Sequence, residues 1–291
     1  MADSSGQADI RGIDIDKLAK GFADEALLMK RFCTQSKTKA REVRWYQKTA
    51  GFLDSTDTTG ITTSQIKLQS TKSRPVVVEQ SWTRNTSYVK KYFVESPLIS
   101  MEDIKDADID ILAGNVRDLV RAVGYQVDVT IYDAITEGAN IGTGAATADG
   151  WDDAATGDPI KDILTAKQAI RAQGYNPEGA VLLINSIEHR NLMTFLINVK
   201  GSSIPSFASE KVKSGVVMNL LGLQVVVSEI ATTDEALIFI PQRACTWKQF
   251  APITSVVMDE PGIGKKIRVW EEGIPLLTDP KAVYLITDTV T

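Results

Sequence analysis

Residues 98–136 read LISMEDIKDADIDILAGNVRDLVRAVGYQVDVTIYDAIT, and this stretch decides the fold. Its apolar residues recur with the 3.6-residue period of an amphipathic helix. Ser100 precedes the run and Asp103 follows three residues later, a spacing that resembles a capping box and predicts a helix start. A helix over residues 108–136 would be about 40 Å long. We expect a bend or interruption at Gly124, because so long a helix is unusual in a compact domain.

The chain before this helix is basic and then extended. Residues 18–32 have the apolar spacing of a short amphipathic helix, and residues 30–48 form a basic arm with a single acid. Residues 51–73 are rich in Thr, Ser, Gly and Asp, which predicts an extended or exposed segment. Residues 75–94 are dense in Val, Thr, Tyr and Trp and predict two strands joined by a polar turn at residues 84–87.

The chain after the helix alternates short helices and strands, as an α/β unit does. It opens on a glycine-rich stretch that predicts a loop. The strongest later signal is a hairpin with a turn rich in Gly, Pro and acids. The predicted elements are a loop over 138–157, helices over 160–172 and 186–199, strands over 180–184, 224–228 and 236–240, a hairpin over 253–271 and a last strand over 282–287.

Composition and charge exclude several classes of protein. The chain has 291 residues, of which 43% are hydrophobic and 24% charged, so it is neither disordered, collagenous nor a membrane protein, and its length suits two linked subdomains. The net charge of -5 disfavours nucleic-acid binding by the molecule as a whole. The basic arm and an acidic block over residues 95–137 predict pairing between subunits, although two solvated faces explain them equally well. Two cysteines, Cys33 and Cys245, and the lack of a secretory signal at the first residues predict a reduced, intracellular folding compartment.

The sequence contains no complete motif for catalysis or for cofactor binding. His189 is the one histidine, and no cysteine or histidine cluster has metal-ligand spacing. The alternating aspartates of residues 106–110 suggest a calcium loop, but Ile111 follows where glycine is needed. Residues 262–266 and 142–144 lack the spacing of phosphate and dinucleotide loops. We therefore predict no catalytic, cofactor or metal site, while a hidden acid/base pair of carboxylates stays open.

The order of these elements is itself informative. It resembles that of the major capsid protein of tailed double-stranded DNA viruses with the Hong Kong 97 capsid fold, which encapsulin shell proteins share. The likeness spans nearly the whole chain. It is carried by residues 77–79 through 92–94, by 98–104 leading into the long helix, by 174–177 before the strand 180–185, and by 221–228.

This resemblance implies an α+β fold of the Hong Kong 97 type. It also implies a structural function without catalysis or cofactor, in which hexamers and pentamers tile an icosahedral shell around a packaged double-stranded DNA genome. The implied parts are an N-terminal arm over 1–50, an extended loop hairpin over 51–97, a peripheral domain with a spine helix over 98–141 and 248–273, and an axial domain over 142–247 and 274–291.

The implied partners are copies of the same chain, a separate scaffold, a portal and decoration proteins. Non-specific contact with packaged DNA is a further expectation, whereas a membrane is not expected. The expected location is the virion capsid, after assembly in the host cytoplasm. Combined with the charge blocks, the resemblance predicts that subunits meet at Arg44, Trp45, Arg74, Trp82, Arg84, Lys90, Lys91, Asp106, Asp108 and Asp110.

Two alternatives stay open at this point. An encapsulin-like compartment has the same fold and would hold cargo protein rather than DNA, because a fold does not fix its use. A soluble two-domain α/β enzyme would carry the charge blocks as ordinary surface and would show a concave pocket with paired titratable groups.

Overall fold

The computed structural model describes residues 28–48, 82–106, 111–146, 150–153, 156–199 and 219–290. The chain divides into two compact units. The first draws on the described parts of Met1–Arg44, Thr86–Ile131 and Trp247–Leu276, and the second on those of Trp45–Asn85, Tyr132–Thr246 and Leu277–Thr291. The finer division into arm, loop, peripheral and axial parts stays a prediction.

The described elements follow one another in this order. The first half contains α1 (Met29–Phe32), β1 (Thr34–Lys37), β2 (Glu42–Lys48), β3 (Trp82–Tyr88), β4 (Lys90–Glu95), β5 (Ile99–Ser100), α2 (Met101–Asp106), α3 (Ile111–Thr136) and β6 (Gly142–Ala145). The second half contains α4 (Pro159–Ala172), β7 (Val181–Ile184), α5 (Ser186–Thr194), a π-helical turn (Phe195–Val199), β8 (Asn219–Leu220), β9 (Leu223–Val227), β10 (Glu235–Phe239), β11 (Cys245–Glu260), β12 (Gly264–Leu277), a 3-10 turn (Pro280–Ala282) and β13 (Val283–Thr287).

The predicted long helix is confirmed as α3, which has 26 residues and is therefore about 39 Å long. It runs without interruption through Gly124, so an interruption there is wrong, while the alternative of a bend stays a prediction. The hydroxyl of Ser100 accepts a hydrogen bond from the Asp103 N–H at 3.0 Å and begins the short helix α2. Fully or almost fully buried side chains recur along α3 at spacings of three and four: Val116, Val120, Val123, Val127 and Ile131.

The first unit is built around a five-stranded sheet with the order β1-β11-β12-β4, and β5 pairs with β12 as well. The predicted hairpin is confirmed as β11 and β12 and is longer than its pattern indicated. Gly262 has a φ of 78° in the turn between them, a conformation that favours glycine. On β12, Ile267, Val269 and Glu271 are buried and alternate with more exposed residues, so one side of this strand faces the core.

The second unit contains a six-stranded sheet with the order β6-β13-β10-β7-β9-β8. The β7–β9 and β13–β6 pairs are parallel, while β10 runs antiparallel to β7 and β13. Strand β7 is buried over its whole length and β10 is buried after its first residue, which explains their continuous apolar sequences. Helix α4 contacts β13 and β6.

The predicted polar turn at residues 84–87 is wrong. Strand β3 runs through these residues and pairs with β2, whereas β4 pairs with β12. The Asn85 side chain donates to the Gln47 side chain at 3.4 Å. Polar residues are tolerated in this strand because much of its surface faces solvent.

The glycine-rich stretch predicted as a loop over 138–157 contains a strand, β6, which pairs in parallel with β13. Tyr284 explains the glycines. A Cβ on Gly142 would lie 2.7 Å from the Tyr284 ring, and a Cβ on Gly144 would lie 2.3 Å from its hydroxyl. Strand β6 therefore needs glycine at these two positions, a residue that sequence patterns usually assign to turns.

Two other predicted segments fall largely or wholly outside the described residues. Of the predicted helix over 18–32, the structure describes only the end, where Met29–Phe32 are helical. The extended segment over 51–73 lies outside the described residues altogether.

Candidate assembly interface

Strands β2 and β3 form a two-stranded ribbon, and one face of it is exposed. The hydrogen bond between Gln47 and Asn85 places these two side chains on the same face. Because side chains alternate along a strand, Tyr46, Trp82 and Arg84 lie on the opposite face. There the Tyr46 and Trp82 side chains are 60% and 52% exposed, and Arg84 is exposed as well. The ribbon thus presents two aromatic rings and a guanidinium to solvent.

The same alternation continues toward the other end of each strand. Tyr88 of β3 is 67% exposed, and Arg44 of β2 is exposed. Arg44 pairs with Glu42 two residues away at 3.0 Å, and an exposed pair of this kind contributes little to stability. Trp45, which points to the other face of β2, is half-buried.

The N-terminal end of the described chain is fastened to the long helix by backbone hydrogen bonds. The Asp128 carboxylate of α3 accepts hydrogen bonds from the N–H groups of Leu28, Met29 and Lys30, at 2.7, 3.1 and 3.3 Å. Asp128 is fully buried, and this burial raises its pKa to about 6 even though the three N–H donors act in the opposite direction. The start of the arm is therefore held by a carboxylate inside the first unit.

A second attachment of the arm is a buried ion pair. The Lys30 ammonium binds the carboxylate of Glu271 on β12, and both side chains are almost completely buried. The ammonium also lies 5.5 Å from the centre of the Trp247 ring, a cation–π contact. Gly273 allows Trp247 to lie against β12, because a Cβ on that residue would be 2.3 Å from the ring. Of the basic arm, at least Lys30 is a core residue rather than part of a solvated face.

The outer side of β12 and β4 carries further ion pairs and ring contacts. Glu272 pairs with Arg41 at 3.2 Å and with Lys91 at 3.8 Å. Two cations lie near the exposed ring of Phe93, with Lys91 at 5.0 Å and Arg268 at 5.2 Å from its centre. Lys91 and Arg41 thus have partners inside their own subunit.

In the second unit, the end of β2 is fixed by a cluster around Tyr175. The Tyr175 ring has the Lys48 ammonium at 5.6 Å and the Arg243 guanidinium at 4.1 Å from its centre. Its hydroxyl lies 3.2 Å from Asp279, which also binds Arg243 at 2.9 Å, and burial raises the pKa of Tyr175 to about 12. The Lys48 N–H donates to the carbonyl of Thr278 at 3.2 Å. These contacts hold Lys48, the last residue of β2, against the rest of the second unit.

Comparison with known proteins identifies the kind of molecule that carries these surfaces. A family model described as phage capsid protein matches residues 98–286. This chain belongs to the phage capsid protein family. The resemblance inferred from the order of elements is thereby confirmed, and this chain is a major capsid protein of the Hong Kong 97 type.

Solved structures with the same fold come from several sources. The virus-like particle from Pyrococcus furiosus matches with a TM-score of 0.64 at 10% identity, covering 95% of this chain and 99% of that chain. The capsid of cyanophage P-SCSP1u matches with a TM-score of 0.63 at 13% identity, covering 91% and 89%. A chain of Mycobacterium phage Che8 matches with a TM-score of 0.60 at 17% identity, covering 87% and 86%. The predicted α+β fold is confirmed by these matches. No curated protein matches this chain.

The residues predicted to join subunits differ in their exposure, and the structure describes only some of them. Arg44, Trp82, Arg84, Lys90 and Lys91 are exposed in the structure, and Trp45 is half-buried. Arg74, Asp108 and Asp110 lie outside the described residues, as does the side chain of Asp106 at the end of α2. Tyr46 and Tyr88 are also exposed and extend this set of candidate contact residues. Their alternation with polar residues in β2 and β3 is the sequence pattern that indicates exposed positions. Their role in subunit contacts stays a prediction.

His189, the residue considered for chemistry, follows a buried glutamate on α5. Glu188 of α5 is buried and accepts the Asp234 N–H at 2.8 Å, while burial lowers the pKa of the neighbouring His189. Among the described residues of the phage capsid protein there is no group of three or more potential metal ligands. No helix in the described part of the chain has the length and apolarity to cross a membrane.

Proposed function

We propose that this chain is the shell subunit of a tailed phage, assembling as hexamers and pentamers into an icosahedral shell around packaged double-stranded DNA. Its role is structural, without catalysis, and assembly takes place in the host cytoplasm before the shell becomes part of the virion. Scaffold, portal and decoration proteins are the further partners. The observation that carries the proposal is the exposed aromatic and cationic face of the ribbon, in a member of a capsid protein family.

This face has the composition of a protein interface. Trp, Tyr and Arg are the residues most enriched among those that dominate binding energy, and the ribbon presents Tyr46, Trp82 and Arg84 on one side. A two-stranded ribbon is marginally stable alone and is stabilised when a partner covers it. Because every subunit of a shell has identical neighbours, a second copy of the chain is the partner that the proposed function supplies.

The surface that we propose as the receptor on the neighbouring subunit is the acidic segment around α2. Glu102 and Asp103 are exposed at its first turn, and Asp106, Asp108 and Asp110 follow in the sequence. Leu98 and Met101 expose apolar side chains beside these acids. Acidic and apolar groups complement a face of rings and guanidinium groups, and such complementarity fixes register between partners.

The experiment compares the assembly of charge-reversed variants by negative-stain electron microscopy and sizing chromatography. We expect closed shells from the wild type. The double variant Arg44→Glu and Arg84→Glu should remain folded and form only small species, because its ribbon repels the acids of the neighbour. Adding Glu102→Lys and Asp103→Lys to this variant should restore shells.

Two controls make the result specific. Lys161→Glu reverses an exposed charge on α4 outside the ribbon and should assemble normally. Lys91 is left unchanged, since it pairs with Glu272 of its own subunit and its reversal would perturb the fold. Normal shells from the Arg44 and Arg84 variant would refute the ribbon contact, and a wild type that forms no shell, alone or with scaffold, would refute the proposed function. Cargo protein in place of DNA inside purified particles would favour the encapsulin-like alternative.

A further inference from the structure

The other edge of the first unit carries a different kind of surface. Strand β1 is the last strand of the five-stranded sheet, and among the described strands it pairs with β11 alone. Lys37 and Lys39 are exposed here, and Arg41 follows with a side chain that is 66% exposed. Lys248 of β11 joins them, because its ammonium donates to the hydroxyl of Ser36 at 2.7 Å. Residues 34–41, together with Lys248, are called the basic edge below.

The basic edge has a local excess of positive charge in an acidic protein. No acid occurs between residues 28 and 41. Among the described carboxylates, none forms an ion pair with Lys37 or Lys39, while Arg41 shares Glu272 with Lys91. The net charge of the chain is -5, so any attraction for an anion must come from a local surface such as this one.

The basic edge has no exposed large apolar side chain, whereas the ribbon has several. The exposed large apolar side chains of the described residues include Tyr46, Trp82 and Phe93, and none of them lies in residues 28–41. The groups beside the lysines are hydroxyls and an amide, from Ser36, Thr38 and Gln35. Protein interfaces are rich in aromatic residues and poor in lysine, whereas surfaces that bind DNA backbones are polar, positively charged and supplied with small donors.

We propose that the basic edge binds the phosphate backbone of double-stranded DNA, independently of base sequence. The inference rests on the proposed function, which places DNA inside the shell, and it assigns that contact to Lys37, Lys39, Arg41 and Lys248. Each ammonium or guanidinium that meets a phosphate releases a condensed counterion. Binding is therefore weak, strongly dependent on salt and compatible with DNA that slides during packaging.

The test measures binding of the unassembled subunit to a short mixed-sequence DNA duplex by fluorescence anisotropy, over about 50 to 200 mM salt. For Lys37→Gln with Lys39→Gln, we expect a lower affinity at each salt concentration. The slope of log K against log salt should become shallower by about 2, because two phosphates are no longer neutralised by a lysine. A matched control, Lys161→Gln with Lys281→Gln, removes the same charge from the second unit and should leave the slope unchanged.

Several results would overturn the inference. They are absence of binding by the wild type at the lowest salt, an unchanged slope in the Lys37 and Lys39 variant, or an equal reduction of the slope in the control. Aggregation of the variant with DNA binding intact would show that these lysines guard a sheet edge against other strands instead. Electron microscopy of the Lys37 and Lys39 variant separates the DNA-binding proposal from the proposed function. Normal shells with reduced DNA binding would support both proposals. Failure of all variants to form shells would count against the proposed function alone.

Discussion

Replacing Lys30 with Met should be among the most destabilising single changes in the first unit. The change leaves the Glu271 carboxylate fully buried without its cation, and Met fills nearly the same volume, so a change in packing adds little. Breaking a buried pair on one side costs about 3 to 5 kcal/mol. Since about 1.4 kcal/mol is tenfold in an equilibrium constant, the ratio of folded to unfolded molecules should fall by roughly two to four orders of magnitude.

The assay is urea unfolding of the unassembled subunit, followed by circular dichroism. It is combined with hydrogen exchange at the amides of Leu28, Met29 and Lys30, which report docking of the arm directly. The matched control is Lys91→Met, because Lys91 is half-exposed, lies 3.8 Å from its partner Glu272 and should cost at most about 1 kcal/mol.

A second variant separates charge from shape. Replacing both Lys30 and Glu271 with Met removes the two buried charges together, and this double change should recover most of the stability that the single variant lacks. The reasoning would be refuted if Lys30→Met were no more destabilising than Lys91→Met. It would also be refuted if the double variant were as unstable as the two single changes added together.

Two further predictions concern a titration and a strand. Burial raises the pKa of Asp128 to about 6 from 3.8, so folding takes up a proton between these pH values. Urea unfolding should show about 3 kcal/mol of stability that is fully present below pH 3.8 and is lost as the pH rises to about 6, and Asp128→Asn should flatten this profile. An unchanged profile in that variant would contradict the assignment. Gly144→Ala should lower the free energy of unfolding by about 1 to 3 kcal/mol because its Cβ meets the Tyr284 hydroxyl, whereas Gly114→Ala in α3, which meets nothing within 4 Å, should raise it by about 1 kcal/mol. Equal thermal midpoints for these two variants would refute the steric argument.

The elements that sequence reasoning predicted well are those whose cause is local. The helix α3 follows from a repeat of apolar residues that holds over Ile111–Thr136, and the β11–β12 hairpin follows from two apolar runs around a turn with Gly262. In both, each residue contributes to a pattern that its near neighbours complete. The order of such elements along the chain was also enough to indicate the capsid fold.

The elements that were missed have causes far away in the sequence. Strand β6 has the composition of a loop, and its glycines are explained by Tyr284, which lies 140 positions further along than Gly144. The supposed turn at residues 84–87 is a strand because β2 pairs with it. Lys30 belongs to a charge run that resembles a solvated face, yet its partner is Glu271, 241 residues away.

The attachment of Lys30 to Glu271 also sets an order of events during synthesis. The two residues are 241 positions apart, and ribosomes add about 5 to 20 residues per second, so roughly 12 to 48 s separate their appearance. Throughout that interval the arm lacks the carboxylate that binds its lysine. The docked arm therefore reports that a subunit has been translated at least as far as Glu271, and a chain truncated before that residue lacks this attachment.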